Sequence, residues 1–290
     1  MSKVNGNSTA YKKTQATSWG NSAQHYASDV HEGSGIMMPL IGAYVETAKE
    51  EVNGSPQILD VASGSGEPGI QLAKLFPDGS VTMTDLAEGM ITQAQRRAEL
   101  HGVKNASFAV ADAEDLSNYG GATFDVVTCN CGLMFMPDYE RALSEFKRVL
   151  KPGGLAMMSA WGLPEHTQLI RLMHDMRTAI APDDSFFADP NILGSREKLL
   201  HALQRAGFSS SSCREVNVPM HVPGEKVQDV LQHNAVIAEL LERLVKRGDP
   251  DVAERSAAAL LDSAARRGFL QEDGTIQCPT NIALFVSARA

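Results

Sequence analysis

The chain has 290 residues, 43% hydrophobic and 21% charged, enough for one elaborated domain or two small ones with a substantial core. Its 26 Lys and Arg against 35 Asp and Glu give a net charge of −9, which argues against nucleic acid or an anionic membrane as the main partner. The basic pairs Arg96-Arg97, Lys147-Arg148 and Arg266-Arg267 fall in helix-like segments and read as solvated helix surface. Cys129, Cys131, Cys213 and Cys278 are too scattered for a disulfide framework, and the C-x-C has no second pair to complete a zinc site. No metal is expected. No apolar run approaches the ~18 residues of a membrane span, and the polar start lacks the apolar stretch of a signal peptide. The expectation is a cytoplasmic protein without membrane insertion.

In chain order, residues 1–18 read as a flexible tail rich in Ser, Asn, Thr and Lys. From residue 57, short apolar runs alternate with amphipathic stretches. Gln57–Ala62 predicts a strand, Pro68–Phe76 a helix and Ser80–Thr84 a strand. Ile91, Ala94 and Ala98 define the next helix, ending near Gly102. Ala106–Val110 and Phe124–Cys129 are further strands, and Asp138 is placed to cap a helix with Ala142, Leu143, Phe146, Val149 and Leu150 on one face. After the turn at Lys151–Gly154 comes the strand Leu155–Ala160. Strands alternating with helices across short connections predict a mostly parallel sheet. Beyond residue 160 the rhythm changes: a helix at about 166–180, then Ser195–Ala206 helical, Cys213–Val218 a strand, two helices over 225–267, and a final strand at Thr280–Ala288. The expected organisation is a tail at 1–18, a core at 19–160, a cap insertion at 161–194, core completion at 195–218, a helical cap at 219–279 and a last core strand at 280–290.

The strongest local signal is Ile58-Leu59-Asp60-Val61-Ala62-Ser63-Gly64-Ser65-Gly66-Glu67-Pro68-Gly69, a buried strand running through a glycine-rich turn into a helix. Gly64, Gly66 and Gly69 satisfy G-x-G-x-x-G, and Asp85 follows at the distance of a ribose-binding acid. A dinucleotide, NAD or NADP, is therefore one reading. It conflicts with Asp60 and Glu67, two carboxylates beside the helix start where a pyrophosphate needs positive potential. A cationic ligand with a ribose but no phosphate, such as S-adenosylmethionine (SAM), fits those charges.

The D-x-x-x-G-x-G of Asp60 to Gly66 resembles the first motif of the class I SAM-dependent methyltransferases. Thr84-Asp85-Leu86-Ala87-Glu88-Gly89-Met90, Val110-Ala111-Asp112-Ala113-Glu114-Asp115 and Phe124-Asp125-Val126-Val127 through Lys151-Pro152-Gly153-Gly154 are similar to the blocks that follow in that family. The resemblance covers residues 20–160. It implies a Rossmann-like α/β fold, a seven-stranded mostly parallel sheet with flanking helices and a helical cap. SAM is the implied cofactor, and Asp60, Ala62, Gly64 and Gly66 form its loop. Asp85 would bind the ribose, Asp112 the adenine amine, and Ala113 the ring through its N–H, with Leu86 and Met90 flanking the adenine. Asn130 would offer its carbonyl to the methionine ammonium. Trp19 and Tyr26, seven residues apart, resemble a lid over the cofactor, although packing of a terminal helix explains them equally well. The ubiquinone and menaquinone enzymes and small-molecule enzymes of secondary metabolism are closest in style. Cys131-Gly132-Leu133-Met134-Phe135-Met136 stands where the quinone group has an Arg-Asn pair, which argues against quinone-ring methylation.

The resemblance thus implies transfer of a methyl group to a small-molecule acceptor by in-line displacement, for which the protein must align the nucleophile and exclude water. His166 is the candidate general base, six residues after the expected strand end at Ala160, with a surface or lining role as its alternative. Phe135 and Trp161 are candidates to line the acceptor pocket. The competing functions are an NAD(P)-dependent oxidoreductase and a non-catalytic SAM-binding module. A monomer or homodimer is expected.

Overall fold

The computed structural model describes residues 8–28, 35–183 and 190–290. In chain order the first elements are α1 (Ser8–Tyr26), α2 (Met38–Glu51), β1 (Gln57–Val61), α3 (Gly69–Leu75), β2 (Ser80–Asp85), α4 (Glu88–Leu100), β3 (Ala106–Val110), β4 (Phe124–Cys129), α5 (Tyr139–Val149) and β5 (Leu150–Trp161). There follow α6 (Gln168–Ile180), α7 (Arg196–Arg205), β6 (Ser209–Asn217), β7 (Met220–Val222), α8 (Val227–His233), α9 (Ala235–Lys246), α10 (Val252–Arg266), β8 (Ile276–Cys278) and β9 (Ile282–Arg289).

Seven strands form one sheet in the order β3-β2-β1-β4-β5-β9-β6. β1 to β5 pair in parallel, while β9 runs antiparallel between β5 and β6. Ile58, Leu59, Val126 and Val127 of the central strands are buried, because helices cover both faces of a parallel sheet. One face is closed by α5 and α7, packing Leu143, Phe146, Leu199 and Leu203. The other is closed by α2, α3 and α4, packing Leu40, Tyr44, Ile70 and Ala94. Asp138 caps α5, its carboxylate accepting the Arg141 N–H at 3.0 Å. The strand order reverses between β1 and β4, which opens a crevice at the carboxyl ends of these strands.

The helical cap has a core of its own, formed by Leu172 and Met176 of α6, Leu231 of α8, Leu240 of α9, Leu260 of α10 and Ile276 of β8. It is stitched to the sheet at closely spaced points. The Gly162 N–H donates to the Ile282 carbonyl, the Val218 N–H to the Asn281 carbonyl, and the Asn281 N–H to the Asn217 side chain.

Several elements depart from the sequence reading. α1 begins at Ser8, inside the segment expected to be a tail, and its Tyr11 and Ala23 are buried. Tertiary docking accounts for this helix: it packs on α4, α8 and α9. A Cβ on Gly89 of α4 would lie 2.6 Å from the Gly20 carbonyl oxygen, so the two helices touch backbone to backbone. α2 was not anticipated. The stretch 225–267 holds three helices because Asn234 is extended (φ −71°, ψ 114°) and its side chain accepts the Ile237 N–H, capping α9 where the sequence pattern runs on. β6 starts at Ser209, and its first four residues are exposed.

Candidate functional site

A cavity that opens to solvent lies at the carboxyl ends of β1, β2, β3 and β4, roofed by α1. Ala62 and Gly64 of the loop after β1 form its floor. Asp85, Leu86 and Met90 come from the end of β2 and the start of α4, Asp112 and Ala113 from beyond β3, and Asn130 from beyond β4. Trp19 and Tyr26 close it from above. Trp19 makes edge contacts with both Tyr26 and Phe135, ring centroids 5.7 and 5.4 Å apart. Ten of the twelve residues that the family resemblance points to therefore converge on one cavity.

Asp85 is held in place before any ligand arrives. Its Oδ2 accepts the Gly64 N–H and its Oδ1 the Ala87 N–H, each at 2.9 Å. Burial raises its pKa, opposed by these N–H groups and that of Leu86. Each carboxylate oxygen carries two lone pairs, so both retain acceptor capacity toward the cavity. Asp112 is more committed: its Oδ1 accepts the Glu114 N–H, and its Oδ2 pairs with the Lys12 ammonium at 2.7 Å. The same ammonium lies 2.6 Å from Glu114 Oε2. Lys12 is thus clamped between two acids, and α1 is tied to the loop after β3.

Asp60 and Gly66 stay outside the cavity lining. Asp60 is fully buried beneath the loop, where its Oδ2 accepts the Gly69 N–H at the start of α3 and its Oδ1 the Thr128 hydroxyl. Burial pushes its carboxyl up to about 7, against those two bonds and aided by the nearby Glu67 and Asp85. Its role here is to hold the loop and helix start. Gly66 adopts φ +109°, and a Cβ there would lie 2.8 Å from Ile70 Cδ1, so its place is a backbone requirement.

Glu67 also faces away from any ligand. It is buried against Arg97, Nη2 to Oε1 3.2 Å, each side chain only 2% exposed. The Arg97 Nη1 further donates to the Ser65 carbonyl at 2.7 Å. Arg97 is therefore no solvated helix residue, as its place in a basic pair suggested, but a buried strut under the glycine loop. The carboxylates that would oppose a pyrophosphate are therefore those of the cavity wall, not Asp60 and Glu67. There Asp85, Asp112 and Glu114 stand against a single ammonium, Lys12.

His166 is not brought to the cavity. It is exposed on a short 3₁₀ turn, Pro164–His166, because β5 continues to Trp161 and the chain then turns away under α6. Trp161 packs in the core, whereas Phe135 lines the cavity. Sequence reasoning missed Tyr11, Lys12, Gln15, Cys131 and Glu114, all of which line it. Tyr11 and Lys12 are neighbours with Gln15 one helical turn on along α1, a spacing that signals a common face only once α1 is known to be a helix. Cys131 lies just beyond the end of β4 and adopts φ +50°. Burial pushes its thiol up to about 12, and burial likewise raises the Tyr26 hydroxyl. Behind the wall, Ser159 Oγ donates to Asn130 Oδ1 and accepts from the Cys131 N–H and the Tyr44 hydroxyl.

Comparison with known proteins agrees with this architecture. A ubiquinone/menaquinone biosynthesis C-methyltransferase of Rickettsia massiliae is 40% identical over 114 residues, 38% of this chain and 46% of that protein. The chain thus matches about half the length of that curated relative. The YcgJ protein of Bacillus subtilis superposes with a TM-score of 0.59 at 19% identity, covering 86% of this chain and 97% of that one. Haemonchus contortus phosphoethanolamine N-methyltransferase 2, solved with phosphomonomethylethanolamine and S-adenosylhomocysteine, gives a TM-score of 0.52 at 17% identity, covering 89% and 53%. These two structures share the seven-stranded fold. The family model described as a methyltransferase domain matches residues 53–207, from the turn before β1 to the end of α7. With more than half of its length so matched, the chain belongs to the methyltransferase-domain family.

Proposed function

We propose that the chain is a SAM-dependent methyltransferase acting on a small-molecule acceptor. The observation that carries this reading is the charge of the cavity wall: three carboxylates against one ammonium, and that ammonium already held by two of them. A pyrophosphate would find no available cation among the described lining residues, whereas a ligand bearing sulfonium and ammonium charges is favoured. When bound, SAM supplies an activated methyl group on a good leaving group.

The chain's own residues fit that ligand. Asp85, pre-set by two N–H groups, offers its remaining lone pairs to the ribose hydroxyls. Leu86, Met90 and Ala113 give an apolar slot for the adenine. Asn130, oriented by Ser159, borders the methionine end. Trp19, Tyr26 and Phe135 exclude water from the reacting end, which favours charge neutralisation during transfer. With Tyr26 and the Cys131 thiol held neutral at pH 7 and His166 elsewhere, this aromatic wall offers no general base. That supports an acceptor whose nucleophile attacks without one, such as a thiolate or an amine. The apolar run Cys131–Met136 supports an acceptor other than a quinone ring.

Calorimetry with S-adenosylhomocysteine and with NADH tests the reading. The first should bind and the second should not; the reverse order overturns it. Asp85→Ala removes charge-assisted bonds of about 1.5–3 kcal/mol each, so affinity for S-adenosylhomocysteine should fall on the order of tenfold or more. Unchanged affinity in a folded variant would remove Asp85 from the site. A radiolabelled-methyl screen of thiols, amines and phenols then identifies the acceptor class.

A further inference from the structure

Away from the cavity, three side chains with metal-ligand chemistry meet where α1 reaches the cap. His25 lies in the last turn of α1; Asp229 and His233 lie one turn apart on α8. One ligand atom from each is within 4.8 Å of the other two. His233 Nδ1 and Asp229 Oδ1 are 3.0 Å apart. The His25 and His233 rings stack, centroids 3.4 Å apart and 12° from parallel, and the buried His25 Nδ1 has no hydrogen-bond partner among the described residues.

We propose that His25, Asp229 and His233 form a site for a divalent transition-metal ion that ties α1 to α8. Two ligands about 2.1 Å from one ion lie roughly 3.4 Å apart in a tetrahedron. The Asp229–His233 edge already has nearly that spacing, and the remaining edges need to close by at most about 1.4 Å. Turning the His25 ring out of the stack gives its unpartnered nitrogen a ligand's role. Two imidazoles and one carboxylate select zinc, nickel or cobalt over magnesium or calcium. Asp229 and His233 are 52% and 30% exposed, which gives the ion a path from solvent and leaves its fourth position to water. His25 precedes Tyr26, so the ion would fasten the end of α1 that carries part of the cavity wall.

The test uses the full-length, tag-free chain and zinc in competition with a chromophoric chelator. The expected result is one equivalent bound, undisturbed by excess magnesium. Binding should weaken at least tenfold in His25→Gln and in His233→Gln, each checked for an unchanged circular-dichroism spectrum. Zinc should also slow amide hydrogen exchange at the end of α1 in the native chain and not in the variants. Cobalt should give the absorption of a tetrahedral nitrogen and oxygen site. Absence of one-to-one binding, variants that bind like the native chain, or a thiolate-to-cobalt charge-transfer band pointing to the cysteines would each overturn the proposal.

Discussion

Arg97→Met removes the cation from a buried pair and leaves its partner in place. Glu67 would keep one donor, the Gln71 side-chain amide at 3.2 Å from Oε1, while its Oε2 has none among the described residues. Breaking a buried ion pair from one side costs about 3–5 kcal/mol. The alternative open to the variant is proton uptake. For a carboxyl ordinarily titrating near ~4.3, that costs about 3.7 kcal/mol at pH 7 and about 1 kcal/mol at pH 5. The lost bond to the Ser65 carbonyl adds about 1 kcal/mol at either pH. Arg97→Met should therefore be destabilised by about 5 kcal/mol at pH 7 and by about 2 kcal/mol at pH 5. Adding Glu67→Gln should recover most of the loss at pH 7, since no uncompensated charge then remains. Urea unfolding of the three variants at both pH values, followed by tryptophan fluorescence, measures this. A single variant within about 1 kcal/mol of the native chain at pH 7 would refute the reasoning. So would equal losses at the two pH values.

Asp60 titrates near 7 when folded against 3.8 as an ordinary carboxyl, so between these values the native state holds a proton that the unfolded chain has released. Native stability relative to Asp60→Asn should therefore fall as pH rises from 4 to 7, by up to about 1.4 kcal/mol per unit; paired unfolding curves across that range check the sign. Lys12→Met should leave Asp112 and Glu114 facing each other unpaired. Amide exchange in the first half of α1 should then rise on the order of tenfold, as expected for losing charged hydrogen bonds of about 1.5–3 kcal/mol, and an unchanged exchange rate would show that the clamp does not hold the helix. Gly89→Ala should improve the helix propensity of α4 by about 1 kcal/mol, yet displace α1 through the Gly20 contact. Weaker binding of S-adenosylhomocysteine by a chain with intact α4 protection is the expected pairing, and tighter or equal binding would mean α1 yields freely.

The central sheet was legible because strands buried on both faces appear as uninterrupted apolar runs, such as Ile58-Leu59 and Val126-Val127, separated by helices with apolar stripes. α1 was not. Its polar sequence carries no continuous apolar face, and it is held by a clamped lysine, a glycine contact and a few buried residues, none visible as periodicity. The convergence of Asp85, Leu86, Met90 and Asp112 followed from their common position at strand ends. The burial of Asp60, Glu67 and Arg97 could not be read in that way. Charge in a sequence does not say which direction a side chain faces, and Glu67 and Arg97 are 30 residues apart in the chain.

The join between Asn217 and Asn281 bears on how this molecule can be altered. Residues 218–281 leave the sheet at the end of β6 and return at the start of β9, where Asn217 and Ile282 are already register partners. Closing a loop at a junction whose ends are adjacent depends only weakly on the length enclosed, with each doubling costing about 0.6 kcal/mol. Residues 218–281, which share the cap core with α6, are therefore an insertion whose length this junction constrains only weakly. Exchange of that insertion between relatives would change what approaches the cavity from the cap side while the strand pairing beneath it stays the same. α1, which packs on α8 and α9, and α6, which packs on α10, would need to travel with it.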